Sequence, residues 1–115
     1  MPRRSDAVRL RHMLDHTQEA LAMVRGRTRA DLDSDRMMSL ALVRLLEIIG
    51  ESAGRVSAQE QANHPRIPWP QLVGLRNRLI HGYDQVDLDI LWRIVTQDLP
   101  ALVAELAQIV AHQAG

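Results

Sequence analysis

Residues 88–110, LDILWRIVTQDLPALVAELAQIV, decide the fold that this sequence predicts. Apolar residues recur through this run at steps of three and four, which is the period of an amphipathic helix. Asp87 stands immediately before the run, where its side chain can cap the helix N-terminus. Pro100 must kink or interrupt the helix, because proline lacks a backbone N–H and its ring clashes with the preceding turn. The chain is therefore expected to end in one long amphipathic helix that is broken at Pro100.

Three more helices are expected before residue 87, because the same period recurs and glycine or proline separates the segments. They run from about Asp6 to Arg25, from a cap at Ser34 to about Arg55, and from Trp69 through Ile80, with left-handed stops at Gly26 and Gly82. The apolar faces contain Leu10, Leu14, Thr17, Leu21 and Val24 in the first helix, Met38, Leu42, Leu45, Ile49 and Ala53 in the second, and Leu72, Leu75, Leu79 and Ile80 in the third. Residues 57–68 are expected to form a short helical turn and then an extended connection that two prolines enforce.

Short connections between successive amphipathic helices predict an all-α fold, an antiparallel up-and-down four-helix bundle with a kinked or interrupted last helix. No alternating run indicates a strand, and leucine fills the core in place of the absent phenylalanine. Gly50 and Gly54 remove side chains from one side of the second helix, which is typical of close packing against a neighbouring backbone. The length of 115 residues is that of one ordinary domain. We therefore expect residues 1–115 to form a single helical domain.

Composition excludes several classes of function. The sequence has no cysteine, so disulfides, thiolate metal sites and cysteine nucleophiles are absent. The 14 basic residues are balanced by 14 acidic ones, so the chain lacks the charge of a general nucleic-acid coating protein, and any RNA contact must be local. No signal-peptide core is evident, and no apolar run approaches the roughly 18 residues that cross a bilayer. A soluble cytoplasmic protein without a membrane partner is expected.

Residues 76–83, RNRLIHGY, concentrate the groups that phosphodiester chemistry uses. The Arg76 guanidinium can bind phosphate oxygens through two parallel hydrogen bonds. The His81 imidazole can take or give a proton near neutral pH. The chemistry of these residues alone leaves another interpretation open, in which His81 only stabilises a helix C-terminus through the helix dipole and Tyr83 anchors the last turn.

Helical geometry limits how these residues can cooperate. Arg76 and His81 are five positions apart, so on one regular helix they would point about 140° away from each other. Asn77 and His81 are four apart and would share a face, which lets the amide orient the imidazole. A working site therefore needs the helix to open at Gly82, or a second subunit to supply the other half. We favour a symmetric dimer, which gathers two arginines and two histidines in one cleft.

Three stretches of the sequence together resemble the HepT-like branch of the HEPN superfamily. They are LLEIIGESA at residues 45–53, PRIPW at 65–69 and GLRNRLIHGYDQVD at 74–87, and Trp92 with DLP at 98–100 extends the match. The resemblance covers roughly residues 38–110. Its motif is an arginine, four residues, a histidine, one residue and a tyrosine, which fall here on Arg76, His81 and Tyr83, and a polar residue follows the arginine at Asn77.

The resemblance implies a four-helix-bundle endoribonuclease that needs no metal or other cofactor and acts as the toxin of a bacterial toxin–antitoxin pair. The antitoxin it implies is a small MntA-like nucleotidyltransferase, which silences the toxin by transferring AMP to the motif tyrosine, here Tyr83. The expected catalytic residues are Arg76 and His81, with Asn77 in support. The expected partners are the RNA substrate, the antitoxin and a second copy of the chain, with larger assemblies of toxin and antitoxin left open.

Two other functions remain open. The chain could be a non-catalytic subunit that presents substrate to a nucleotidyltransferase, or a plain helical scaffold. His12 and His16 have the spacing of a shared metal site, but the sequence offers no third ligand. Arg25–Arg29 could touch phosphates, although the acidic run that follows offsets their field and favours a solvated loop.

One face of the second helix also leaves two interpretations. Arg44, Glu47, Glu51 and Arg55 recur there at steps of three and four. Such spacing permits weak alternating ion pairs on a solvated face. The same residues could instead form a polar lining of a cleft at a subunit interface.

Overall fold

The computed structural model describes residues 3–82 and 85–114. Its elements, in chain order, are α1 (Arg4–Val24), α2 (Asp31–Ser34), α3 (Arg36–Arg55), α4 (Ala58–Asn63), α5 (Trp69–Val73), α6 (Leu75–Leu79), β1 (Ile80–His81), β2 (Gln85–Val86), α7 (Leu88–Arg93), a π-helical turn (Ile94–Asp98) and α8 (Leu99–Ala114). The predicted all-α bundle is confirmed. The most extensive packing joins α1 to α3 and α1 to α8, while α5 and α6 lie against α3.

The core contains the apolar faces that the sequence predicts. In α3, all five predicted core residues are buried, and the helix ends at Arg55 as expected. In α1, Leu10, Leu14 and Thr17 are buried, whereas Leu21 and Val24 are only partly buried where the helix leaves the core. Gly26 adopts φ +73°, which confirms the left-handed stop.

The start of α3 differs from the prediction by one residue. Ser34 is not the cap, because it closes the short helix α2. The cap is Asp35, whose side chain accepts a hydrogen bond from the backbone N–H of Met38 at 3.0 Å. Both residue types favour this position, so local preference alone could not choose between neighbours.

The third predicted helix is shorter and divided. It begins at Trp69 as expected, but Gly74 separates α5 from α6, and the helix ends at Leu79. Ile80 then pairs with Val86 in an antiparallel ladder of two-residue strands, which no alternating run in the sequence indicated. The carbonyl of Leu79 accepts the N–H of Asp87 at 2.8 Å, which replaces the next helical hydrogen bond.

Gly50 explains how α5 is held beside α3. A Cβ atom at this position would lie 2.7 Å from the carbonyl oxygen of Leu72. Real Cβ contacts do not come so close, so a side chain here would push the two helices apart. The predicted role of Gly50 in close packing is confirmed. At Gly54 a Cβ would meet Val73 Cγ2 at 3.7 Å, an ordinary contact.

The C-terminal helix is interrupted before Pro100, as predicted. Residues Ile94–Asp98 form a π-helical turn, in which the N–H of Leu99 donates to the carbonyl of Ile94, five residues back. The wider turn relieves the clash between the proline ring and the turn before it. Asp87 caps the start of α7, where its Oδ1 accepts the N–H of Ile90 at 3.0 Å.

By length and composition alone, Leu88–Gln113 could cross a membrane, which differs from the expectation drawn from the sequence. The core helix of a bundle meets the same criterion. Here Leu91, Val95, Leu99 and Leu106 of this helix are buried, and α8 packs extensively on α1. The apolar face is therefore used inside the bundle.

A buried polar contact fixes the N-terminus of α1. The Asp6 side chain is only 2% exposed, and its carboxylate accepts hydrogen bonds from the Ser57 N–H at 2.9 Å and hydroxyl at 2.7 Å. Burial raises the pKa of Asp6, but the two Ser57 hydrogen bonds and the charges of Arg3 and Arg9 outweigh burial and leave the pKa below its usual value. Ser57 also caps α4, so this contact ties α1 to the connection after α3.

Candidate active site

Arg76 lies on α6 at the surface, facing α3. Its side chain is 70% exposed, and its Nε lies 3.9 Å from Oε2 of Glu47. That separation is too long for a hydrogen bond, so the guanidinium N–H groups remain available to another anion. Arg76 and Glu47 line a pocket of about 350 Å³ together with Gly50, Gly54 and Val73.

His81 lies on β1 and faces the start of α7. Its side chain is 59% exposed, and its Nε2 lies 3.7 Å from Oδ2 of Asp87. The other carboxylate oxygen of Asp87 caps α7. One carboxylate therefore holds the helix terminus and stands beside the imidazole. The chain reaches this arrangement because Ile80 pairs with Val86 and His81 pairs with Gln85, which brings the residue after β2 back to His81.

The expectation that Asn77 and His81 share a helical face is wrong. The helix ends at Leu79, so the four-residue spacing does not place the two side chains together. Asn77 is exposed, and no side-chain hydrogen bond of Asn77 is present among residues 3–82 and 85–114. Asp87, which the sequence indicated only as a helix cap, is the polar group that lies beside the imidazole.

The structure describes two of the three residues of the predicted motif, Arg76 and His81. Tyr83, the predicted acceptor of AMP, lies outside the described residues. Within the subunit, Arg76 lies beside α3 and His81 beside Asp87, so each has a different carboxylate neighbour. Both side chains are presented to solvent, and neither is part of the hydrophobic core.

The arginine loop after α1 is occupied by internal contacts. Arg27 donates to Asp35 at 2.6 Å, while Arg29 donates to Asp89 at 2.7 Å and to Asp33 at 3.1 Å. The hydrogen bond to Asp89 is the main cause of a raised pKa of Arg29. The expectation that neighbouring acids offset this loop is confirmed.

The two histidines of α1 make a local contact. The Nδ1 atom of His16 lies 2.6 Å from the carbonyl oxygen of His12. That nitrogen is directed to the backbone of its own helix. In the described part of the chain, no group of three His, Asp or Glu residues is placed to hold a metal ion.

The sequence matches known ribonucleases over most of its length. The family model described as Ribonuclease HepT-like matches residues 13–109. A protein provisionally named RNase from Caldanaerobacter subterraneus subsp. tengcongensis is 31% identical over 104 residues, which cover 90% of this chain and 93% of that protein. The probable ribonuclease HepT of Thermococcus cleftensis is 33% identical over 100 residues, which cover 84% and 91%.

A further provisionally named RNase, from Methanocaldococcus jannaschii, is 40% identical over 73 residues, which cover 64% of this chain and 67% of that protein. No solved structure matches the chain significantly. The family match spans the helices that build the bundle and the segment that carries Arg76 and His81. The chain therefore belongs to the HepT-like ribonuclease family.

Proposed function

We propose that this protein is a metal-independent endoribonuclease that acts as the toxin of a toxin–antitoxin pair. The observation that carries the proposal is the exposure of Arg76 and His81 on two consecutive elements, α6 and β1, within a chain of the HepT-like ribonuclease family. A cation and a proton-transfer group at the surface are what a large anionic substrate requires.

RNA supplies its own nucleophile, so the protein has to move protons and stabilise charge. A neutral imidazole takes the proton of the 2′-hydroxyl while that oxygen attacks the adjacent phosphorus. The bond from phosphorus to the 5′-oxygen then breaks, and an acid protonates the leaving oxygen. The products are a 2′,3′-cyclic phosphate and a 5′-hydroxyl. We assign the proton transfers to His81 and the stabilisation of the phosphoryl oxygens to Arg76, with Asn77 kept as a supporting residue at the phosphate.

Asp87 is assigned as the residue that positions His81. Its Oδ2 lies 3.7 Å from the imidazole Nε2, so a small movement of the exposed imidazole would let the carboxylate accept a hydrogen bond from that nitrogen and leave Nδ1 as the base. Asp87→Asn tests this role, because asparagine caps a helix as well as aspartate does. We expect kcat to fall with KM and the melting temperature unchanged. Unchanged kcat would leave Asp87 as a cap only.

A second copy of the chain would complete the site. Met37, Leu40, Arg44, Glu47 and Glu51 recur at steps of three and four along the outer side of α3. Met37 is 83% exposed and Leu40 is 54% exposed, so this end of the stripe offers an apolar surface to a partner. In a two-fold pair of antiparallel α3 helices, each Arg44 would face acidic residues of the partner, so the stripe complements itself. Such a dimer would bring two Arg76 side chains to one cleft.

Silencing by AMP transfer is part of the same proposal. Tyr83 follows His81 by two residues in the sequence. An AMP group on Tyr83 would add bulk and a phosphate anion close in sequence to the catalytic histidine. That anion would compete with RNA for Arg76. The partner that transfers AMP would be an MntA-like nucleotidyltransferase.

The decisive experiment combines two substitutions with an intact-mass measurement. His81→Ala and Arg76→Ala should each abolish cleavage of RNA and inhibition of growth, while the melting temperature stays within a few degrees of the wild type, since both residues are exposed. Undiminished cleavage in both variants would remove the mechanism. If the unmodified wild-type protein leaves RNA intact but still receives AMP, the non-catalytic substrate-presenting role is correct instead.

A further inference from the structure

The arginines of this protein fall into two groups. Seven of them, Arg11, Arg27, Arg29, Arg44, Arg66, Arg76 and Arg78, lie within 3.9 Å of a carboxylate. The other seven have no carboxylate within 4.0 Å among the residues that the structure describes, and three of these are Arg4, Arg9 and Arg55. The net charge of zero therefore hides a local excess of positive charge.

These three arginines lie in one groove between α1 and α3. The groove has a volume of about 480 Å³, and Arg4 and Arg9 line it from α1 while Arg55 lines it from α3. His12 adds a further nitrogen base, and Val8, which is 46% exposed, adds an apolar surface. The groove that α4 and α8 form differs from it, since Glu60 and Glu105 are among its lining residues.

Three guanidinium groups outnumber the two carboxylates near the arginine groove. Glu51 stands at its edge, and its Oε1 lies 3.7 Å from Nη1 of Arg44. The Asp6 carboxylate is buried and accepts two hydrogen bonds from Ser57. The groove therefore keeps an excess of positive charge, which favours an anion.

The groove adjoins the candidate active site. Glu51 of α3 lines the groove and also lines the pocket that contains Arg76 and Glu47. The groove and the pocket are therefore adjacent and share this residue. Glu47 and Arg55 are eight residues apart on this helix, a distance of about 12 Å along its axis. A chain of linked phosphates that is bound at Arg76 can thus continue into the groove.

We propose that the α1–α3 groove is the binding track for the phosphate backbone of single-stranded RNA on one side of the cleavage point. This inference rests on the proposed ribonuclease function. Arg4, Arg9 and Arg55 would contact phosphates without reading bases. Val8 and Ile48 would offer an apolar surface to a base or ribose. The cut would then require several nucleotides to one side of the scissile bond, so very short RNAs would be poor substrates.

Fluorescence anisotropy with a single-stranded 2′-O-methyl RNA tests the groove, because blocking the 2′-oxygen prevents cleavage. The groove variant is Arg4→Gln with Arg55→Gln. The matched control is Arg25→Gln with Arg93→Gln, which removes two exposed arginines outside the groove. Each phosphate contact contributes about 0.7 to the slope of log affinity against log salt for single strands, so the groove variant should lose about 1.4 of slope and bind about 25-fold more weakly at 0.1 M salt.

The possible outcomes distinguish a failure of the groove inference from a failure of the proposed ribonuclease function. A groove variant that binds RNA with wild-type affinity and slope, beside a wild type that cleaves ordinary RNA, would overturn the groove inference alone. Loss of silencing by the nucleotidyltransferase in that variant would assign the groove to a protein partner. An equal loss in the Arg25/Arg93 control would show a general charge effect and also overturn the inference. A wild type that neither binds nor cleaves RNA would remove the proposed function itself.

Discussion

Two regions of the molecule differ in the length of their elements. We call α1, α3 and the C-terminal helix the frame, and the elements between Trp69 and Asp87 the site segment. α1 has 21 residues and α3 has 20, and each buries a continuous apolar face. The site segment has two helices of five residues and two strands of two. Helices and hairpins so short are not stable alone. The residues assigned to chemistry therefore stand on a part of the chain that depends on the frame for its conformation.

This difference suits a nuclease whose substrate is large. The frame fixes the position of α5 and α6 through the close approach at Gly50, while Arg76 and His81 stay exposed at the end of short elements. Short elements with exposed ends open locally at lower free energy than long packed helices. In the proposed function, the exposed end of the segment would adjust to RNA while Leu72, Leu75 and Leu79 stay packed on the bundle.

The substitutions with the largest expected effect on stability test whether the frame and the site segment unfold separately. Leu46 of α3 and Leu79 of α6 are both fully buried. Leu46→Ala should lower the free energy of unfolding by about 2–5 kcal/mol, because it leaves a cavity in the frame. Leu79→Ala should mainly release residues 75–87, which hydrogen exchange would report as lost protection there while α1 stays protected. Equal loss of protection across α1 in both variants would show that the two parts unfold as one.

The next effect tests how the frame holds the site segment. Gly50→Ala places a Cβ 2.7 Å from the carbonyl oxygen of Leu72, so α5 must move away from α3. Overpacking of this kind costs about 1–3 kcal/mol. RNA cleavage should fall as well, because Arg76 moves with α6. Gly54→Ala is the matched control on the same helix, since its Cβ would meet only an ordinary contact at 3.7 Å. Similar losses in the two variants would contradict the role of the close approach.

Much of the frame follows from local sequence, whereas the site segment does not. The helix from Arg36 to Arg55, its core residues and the break before Pro100 need only periodicity and the chemistry of proline. The division at Gly74 and the strands at Ile80 and Val86 depend on contacts with other elements. The sequence predicted Arg76 and His81 as site residues, and their carboxylate neighbours, Glu47 and Asp87, come from α3 and from the start of α7. Spacing indicated Glu47 only as a possible lining of a cleft and Asp87 only as a helix cap, because the contacts with Arg76 and His81 join separate elements.

A smaller effect concerns the contact that closes the N-terminus of the frame. Asp6→Ala removes the buried acceptor of two part-buried Ser57 donors and should cost about 1–3 kcal/mol. Because the pKa of Asp6 is lowered in the folded protein, its carboxylate stabilises the fold above about pH 4, and that contribution is lost as the pH falls further. The amide oxygen of Asp6→Asn can still accept the Ser57 N–H, and its NH2 group can donate to the Ser57 hydroxyl oxygen, without the charge. Denaturant titrations of Asp6→Asn should show a smaller loss of stability between about pH 5 and pH 3 than the wild type shows.

The smallest expected effect concerns the link between frame and site at Glu47. The Arg76–Glu47 pair is 3.9 Å long with an exposed arginine, so Glu47→Gln should change the free energy of unfolding by less than about 1 kcal/mol. The effect on KM for RNA should be easier to detect than the effect on stability. It should also be opposite in sign to that of most substitutions at an active site, which raise KM. Glu47 keeps a negative charge beside the guanidinium that is assigned to the phosphate, so its removal should lower KM for RNA a few-fold and leave kcat unchanged. A fall in kcat would instead mean that Glu47 fixes the orientation of Arg76, and the site segment would then depend on α3 for its chemistry as well as for its position.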